Sequence, residues 1–253
     1  IAAAIACSDV FAMGGRVILA VNIAAFPEEL PTDVIAAIFA AASATVLEAG
    51  GTIAGGHTIR NPEPIFGLAV QGVVHPSKIW RKGGSQPGDI VMMSKPIGTA
   101  LALAGGCATD QRAAINGMRT LNRRAAEQLR ELGDDVHAVT DVTGYGLAGH
   151  GWEVAERGGV RLHIDAQNIV AYPGALKAAT EGMRTGGDPR NRTYVEGHCT
   201  ISAPDAHAAL CFDPQTSGGL LAVVPQHRQQ QLLDLGWWHA GRIEAGAPGI
   251  VIE

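Results

Sequence analysis

"TDVTGYGLAGHG", residues 140–151, decides between two α/β architectures, because Gly144, Gly146 and Gly149 carry the G-x-G-x-x-G spacing of a dinucleotide-binding turn. An apolar run from Val136 to Val139 precedes them, a helix-like stretch from Leu147 to Arg157 follows, and the strand-like "VRLHID" closes on Asp165. That order is the strand, turn and helix of a Rossmann unit. Asp141 opposes the match. It stands three residues before the first glycine, where a dinucleotide brings its pyrophosphate against backbone N–H groups and a helix N-terminus. A carboxylate there repels phosphates unless a cation stands between them, so the stretch points to a metal-bridged polyphosphate.

The same grammar, a carboxylate closing an apolar run with glycines just beyond, occurs in "SDVFAMGG" around Asp9 and in "FDPQTSGG" around Asp213. Magnesium takes oxygen ligands, usually one or two carboxylates together with substrate phosphates, and glycine turns let backbone N–H groups approach phosphate. The plain alternative is that each Asp caps a helix or opens a turn. Three occurrences favour the metal-nucleotide reading over three separate caps.

Glycine is the compositional anomaly, with 33 in 253 residues against an average share of about 7%. These glycines sit in short loops after apolar runs and mark tight turns or close backbone approaches. The net charge of -5 carries no long run of either sign, which removes the electrostatic case for nucleic-acid or anionic-membrane binding. Val34–Leu47, the longest apolar run, is shorter than the roughly 18 residues of a membrane span and reads as a buried helix. Cys7, Cys107, Cys199 and Cys211 form no C-x-x-C pair, as expected of reduced thiols in the cytoplasm.

The chain alternates strands and helices. Val17–Ala24 reads as a strand, Asp33–Ala49 as a helix, Phe66–Val74 as a strand, Arg112–Leu132 as a helix, and Leu220–Val224 and Trp238–Ile243 as strands. "RKGGSQPGD" (Arg81–Asp89) is the expected junction between an N-terminal unit, residues 1–80, and a C-terminal α+β unit, residues 81–253. Ile1 opens the chain inside the helix-like "IAAAIA" without an initiator Met, so its natural beginning is expected to lie upstream.

Other patterns carry less. Gly51–Thr58 spells a Walker A motif with His57 in place of lysine, and "IRNPEPIF" cannot open the helix that a P-loop needs. His198, Cys199, His207 and Cys211 lack standard zinc spacing, and Cys211 reads better as core. Lys95 in "SKPIG" and Arg190 with Asn191 in "GGDPRN" are candidate anion contacts or merely solvated side chains. Trp237 and Trp238 pack rather than stack on bases, because no basic stripe accompanies them.

Read together, "SDVFAMGG", "AGGHTIRNPEPIFGLAVQGVV", "PGDIVMMSKPIGTA", "TDVTGYGLAGHGWEVA", "GGDPRN" and "LCFDPQTSGGLLAVVP" resemble the selenophosphate synthetase (selenide, water dikinase) family, within the aminoimidazole ribonucleotide synthetase superfamily. They follow the family's order and cover essentially the whole chain. The resemblance implies a two-domain α/β protein with a truncated N-terminal domain, dimerising through N-terminal strands, and ATP with Mg2+ bound between domains and partly across the dimer. It implies metal binding by Asp9 and Asp141 and an ATP-contacting turn at Gly56, His57 and Thr58, with Asp9 also counted among the nucleotide-site residues. The implied reaction converts ATP, selenide and water to selenophosphate, AMP and phosphate, with no nucleic-acid or membrane partner.

The family also carries a glycine-rich segment with a reactive Cys or selenocysteine and a Lys ahead of the point where this chain begins. The catalytic groups are expected there, none within residues 1–253, and the chain as it stands is expected not to turn over. Ile5, where a polar residue is expected, and Asp188, where Thr is usual, depart from the family pattern; Asp188 places a negative charge near a possible anion site. The competing readings are another ATP-using superfamily member that releases ADP, a non-catalytic nucleotide-binding paralogue and, last, an NAD-binding turn at Gly144–Gly149.

Overall fold

The computed structural model describes residues 1–253. The N-terminal part contains α1 (Ala2–Ala12), β1 (Arg16–Phe26), α2 (Thr32–Glu48), β2 (Thr52–Arg60) and β3 (Ile65–Val73). β1 is central, with β2 parallel on one side and β3 antiparallel on the other. The alternation of a strand divides this sheet into unlike faces. Ala24 aligns with Thr58 and Phe66 on one face, where Phe39 of α2 meets Phe26 and Phe66 edge-on at 6.1 and 5.6 Å. Val21 and Ile23 align with Gly55 and His57 on β2 and with Ala69 and Gly67 on β3, on the opposite face, which is exposed.

Two expectations change here. Gly56, His57 and Thr58 lie within β2 rather than in a turn, so their side directions alternate and only His57 shares the outer face with Val21 and Ile23. Gly56 is required by close approach, since a Cβ there would stand 2.2 Å from the Asn22 carbonyl oxygen. The Val34–Leu47 helix is likewise not buried. In α2 only Ala42 and Val46 are buried, because a three-stranded sheet covers a single stripe of a helix that is apolar all round, and Leu47 is left 72% exposed.

The C-terminal part runs β4 (Asp89–Met93), α3 (Thr99–Gly105), α4 (Ala108–Arg119), α5 (Arg123–Glu131), β5 (Ala138–Asp141), α6 (Gly146–Gly158) and β6 (Arg161–Ile164). It continues through α7 (Ala175–Thr180), α8 (Asp188–Tyr194), β7 (Cys199–Ile201), α9 (Asp205–Phe212), β8 (Leu220–Pro225), α10 (Gln229–Asp234), β9 (Trp238–Glu244) and β10 (Gly249–Ile252). The strands form one mixed sheet in the order β5-β8-β4-β9-β6-β10-β7. Ile90–Met93 of β4 and Leu220–Val224 of β8 are apolar throughout and buried, because both faces of the sheet are covered there. Val91 and Met93 of β4 face a core shared with α6 and α9, whereas Ile90 and Met92 face a second core shared with α1, α2 and α5. The second core therefore joins residues from both sides of Arg81.

The helix expected over Arg112–Leu132 is two helices. The chain breaks at Thr120–Asn122, where Asn122 turns its amide inward instead of continuing the helix. The break leaves α5 packed against α1, which also touches the edge strand β5. No helix is long and apolar enough to cross a membrane.

Candidate functional site

The site begins where α1 meets the end of β5. Asp141 is the last residue of β5, opposite Leu220 of β8, and is buried there at 8% exposure. Its Oδ2 accepts the Ser8 hydroxyl at 2.8 Å. Asn122 fixes that hydroxyl in turn: its Nδ2 donates to Ser8 Oγ at 2.9 Å and to the Gly218 carbonyl at 2.8 Å. Three distant segments thus hold one carboxylate in a single orientation.

Asp9 follows Ser8 on α1 and is exposed. Partial burial, and then the Asp141 charge, push its carboxyl above the usual range, while the Lys82 ammonium pulls the other way. Two carboxylates close enough to repel, one anchored and one free, fit a cation that prefers oxygen ligands. Nowhere in the chain do three or more His, Cys, Asp or Glu side chains gather as a metal cage. Magnesium needs no such cage, since it is typically held by one or two carboxylates with phosphates and water completing the shell.

A polar chain flanks this pair. Lys82 Nζ donates to Glu153 Oε2 at 2.6 Å, and His150 Nδ1 lies 3.0 Å from the same oxygen. Thr143 Oγ1 lies 3.2 Å from His150 Nε2. Burial raises the Glu153 carboxyl, but hydrogen bonds from His150 and Lys82 outweigh it and hold the group at about 2. The ionised carboxylate takes the His150 Nδ1–H, which leaves Nε2 facing the Thr143 hydroxyl.

The third expected carboxylate has another task. Asp213 Oδ2 accepts the backbone N–H groups of Ala100 at 3.0 Å and Leu101 at 3.4 Å, and the Thr185 hydroxyl donates to Oδ1 at 3.2 Å. Gln215 Oε1 accepts from the N–H groups of Gly98 and Thr99. "DPQTSGG" therefore ties down the start of α3, and burial lifts Asp213 to about 6. The glycines after Asp141 also answer to protein contacts. Gly146 has φ +70°, and a Cβ on it would stand 2.7 Å from the Cys211 carbonyl oxygen. Gly144 has open space around it, and its carbonyl accepts the Asn191 amide at 2.9 Å.

The remaining candidates separate. Arg190 is exposed, and Asp188 does not add a free charge to an anion site, because Arg192 Nε pairs with its Oδ1 at 2.8 Å. His198 stacks on Trp152 with ring centroids 4.1 Å apart, and Cys211 is fully buried. Lys95 is buried and its Nζ donates to the carbonyls of Thr120 and Ser217. Ser8, Asn122, Lys82, Thr143, His150 and Glu153 were not singled out from the sequence. An Asn inside a presumed helix was the available signal for Asn122, since Asn competes with helical hydrogen bonding.

Comparison with known proteins identifies the family and the fold. The model of the AIR synthase related protein N-terminal domain matches residues 1–74, and that of the C-terminal domain matches residues 86–252. The selenide, water dikinase of Caldanaerobacter subterraneus subsp. tengcongensis is 38% identical over 257 residues, covering 96% of this chain and 74% of that protein. That of Myxococcus xanthus is 40% identical over 263 residues, covering 99% and 75%. Among solved structures, the thiamine-monophosphate kinase of Stenotrophomonas maltophilia superposes with TM-score 0.75 at 22% identity, covering 98% of this chain and 75% of that one. The hydrogenase maturation protein HypE in complex with ATP superposes with TM-score 0.76 at 17% identity, covering 100% and 74%; these two establish the fold alone. With identity near 40% sustained across both units, the chain belongs to the selenide, water dikinase family of AIR synthase related proteins.

Proposed function

We propose that this chain serves ATP-dependent synthesis of selenophosphate, in which ATP, selenide and water become selenophosphate, AMP and phosphate. The observation that carries the reading is the Asp9–Asp141 pair, with Asp141 locked by Ser8 and Asn122 and Asp9 raised by partial burial and then by the Asp141 charge. The pair would hold Mg2+ through carboxylate oxygens, and magnesium bound there neutralises triphosphate charge. The protein's own contribution is positioning: Asn122 and Ser8 keep the Asp141 oxygen fixed, and Lys82 balances Asp9 until the nucleotide arrives. The Thr143–His150–Glu153 chain offers a proton acceptor two residues beyond Asp141, suited to orienting the water that the overall reaction consumes.

The same reading places residues 1–80 in a nucleotide-binding and dimerising unit and residues 81–253 in a second unit. Homodimerisation through the N-terminal sheet is supported by its exposed apolar face, where Ile23 is 60% exposed and Val21 39%. His57 shares that face, which supports a contact of His57, with Gly56 and Thr58 beside it, to nucleotide held in part by the partner subunit. Four free thiols support a cytoplasmic setting. Phosphorus NMR of the full-length protein with ATP, magnesium and selenide under anaerobic conditions tests the reaction. A phosphorus–selenium signal with AMP and phosphate is expected; ADP as the only product would move the chain to another branch of the superfamily.

A further inference from the structure

A cavity of about 180 Å³ lies beside the carboxylate pair, between the start of α5 and the Gly236–Trp237 turn. Lys95, Thr120, Asn122, Arg124 and Gln128 line it, and no Asp or Glu does. Lys95 is 7% exposed, and its ammonium donates to two carbonyls, Thr120 at 2.6 Å and Ser217 at 3.0 Å, which leaves one N–H unspent. Burial holds this group down at about 8, with the Asp141 charge acting the other way. Asn122 Oδ1 and Ser217 Oγ are both buried without any hydrogen-bond partner. Ser217 is the one non-glycine residue in the chain with positive φ, at +52°, and its carbonyl is one of the two that Lys95 Nζ meets.

The surroundings have one sign. α5 starts at the cavity with no side chain capping its first turn, so its free N–H groups and the positive end of the helix dipole face the same space. Arg124 stands exposed at the rim, whereas its neighbour Arg123 is spent on Glu127. Buried ammonium, helix start and guanidinium together want a negative charge, and the small space suits a small anion. The orphaned acceptor Asn122 Oδ1 adds a further condition, since it needs a donor.

We propose that this cavity binds a small anion carrying one proton, held by Lys95 Nζ, Arg124 and the first N–H groups of α5, with its proton given to Asn122 Oδ1. Two sources have that chemistry, hydroselenide entering the reaction and hydrogenphosphate leaving it, and this choice of sources rests on the function proposed above. Asn122 also holds Ser8, and through it Asp141, so two side chains link the anion to the carboxylate pair.

Titration calorimetry tests the site with inorganic phosphate and, anaerobically, with sodium hydroselenide. One site per chain is expected for one of the two anions, weakened at least tenfold by Arg124→Ala and by Lys95→Met. Arg124 is exposed, so its variant keeps the fold even if loss of the Lys95 contacts loosens it, and circular dichroism checks both. Phosphate binding makes this a product site and hydroselenide binding a substrate site. Binding of neither anion, or equal binding by wild type and the Arg124→Ala protein, overturns the proposal. Mg·ATP titrated into the same samples reports on Asp9 and Asp141 separately; its failure would strike the proposed function and leave the anion result standing.

Discussion

Asp141 and Asp213 occupy similar sequence contexts and do opposite things. Asp141 has an oxygen free beside a second carboxylate, so Asp141→Asn in the full-length protein is expected to abolish magnesium-dependent nucleotide binding and to lower turnover by about a hundredfold or more. The amide oxygen still accepts the Ser8 hydroxyl, so the melting temperature should hold within a few degrees; near-normal turnover would remove Asp141 from the mechanism. Asp213 instead meets backbone donors in a buried place that raises its pKa from 3.8 to about 6. Between those values the native state keeps a proton that the unfolded chain has released, so stability falls as pH rises through this window, by on the order of 3 kcal/mol. Denaturant unfolding at pH 4, 5 and 6 should show that slope in the wild type and its loss in Asp213→Asn. An unchanged slope would mean that Asp213 does not titrate there. The sequence marked both residues but could not separate them, because their burial and partners come from α1, α3 and α5, which lie far from them along the chain.

At the scale of elements, the glycine pattern after Asp141 reads differently in three dimensions. Gly146 lies at φ +70° against the Cys211 carbonyl, whereas Gly144 has nothing within 4 Å of its would-be Cβ. Gly146→Ala is therefore expected to cost roughly 1–3 kcal/mol through backbone strain and the close carbonyl. Gly144→Ala should cost less than about 0.5 kcal/mol. Equal losses in thermal unfolding of the two variants would refute this division. Strands β1, β3, β8 and β9 were legible from their apolar runs to within a residue or two. The break between α4 and α5 was not, because Thr120–Asn122 interrupts an otherwise helical pattern for the sake of contacts with Ser8 and Gly218. β2 was hidden as well, since a strand containing "AGGHT" has neither alternation nor β-branched density and is made by pairing with β1.

At the scale of the molecule, the exposed face of the N-terminal sheet is the feature that a single chain leaves open. Ile23→Glu places a charge at the most exposed apolar position of β1, so sedimentation analysis should find the wild type dimeric and this variant monomeric at micromolar concentration. A monomeric wild type would remove the dimer. The sequence by itself determined the α/β organisation and the family, and it marked Asp9 and Asp141 as the candidate pair, because these rest on periodicity and on motifs whose residues are neighbours along the chain. Only the tertiary structure decided that α2 is largely uncovered, that Asp213 is structural, that Ser8 and Asn122 orient Asp141, and that Lys95 faces a cavity without an acidic residue. Apart from α2, whose cover is the adjoining sheet, each of those depends on which surfaces come together across more than a hundred residues, and hydrophobic burial, being non-directional, leaves that choice to the packing of the whole molecule.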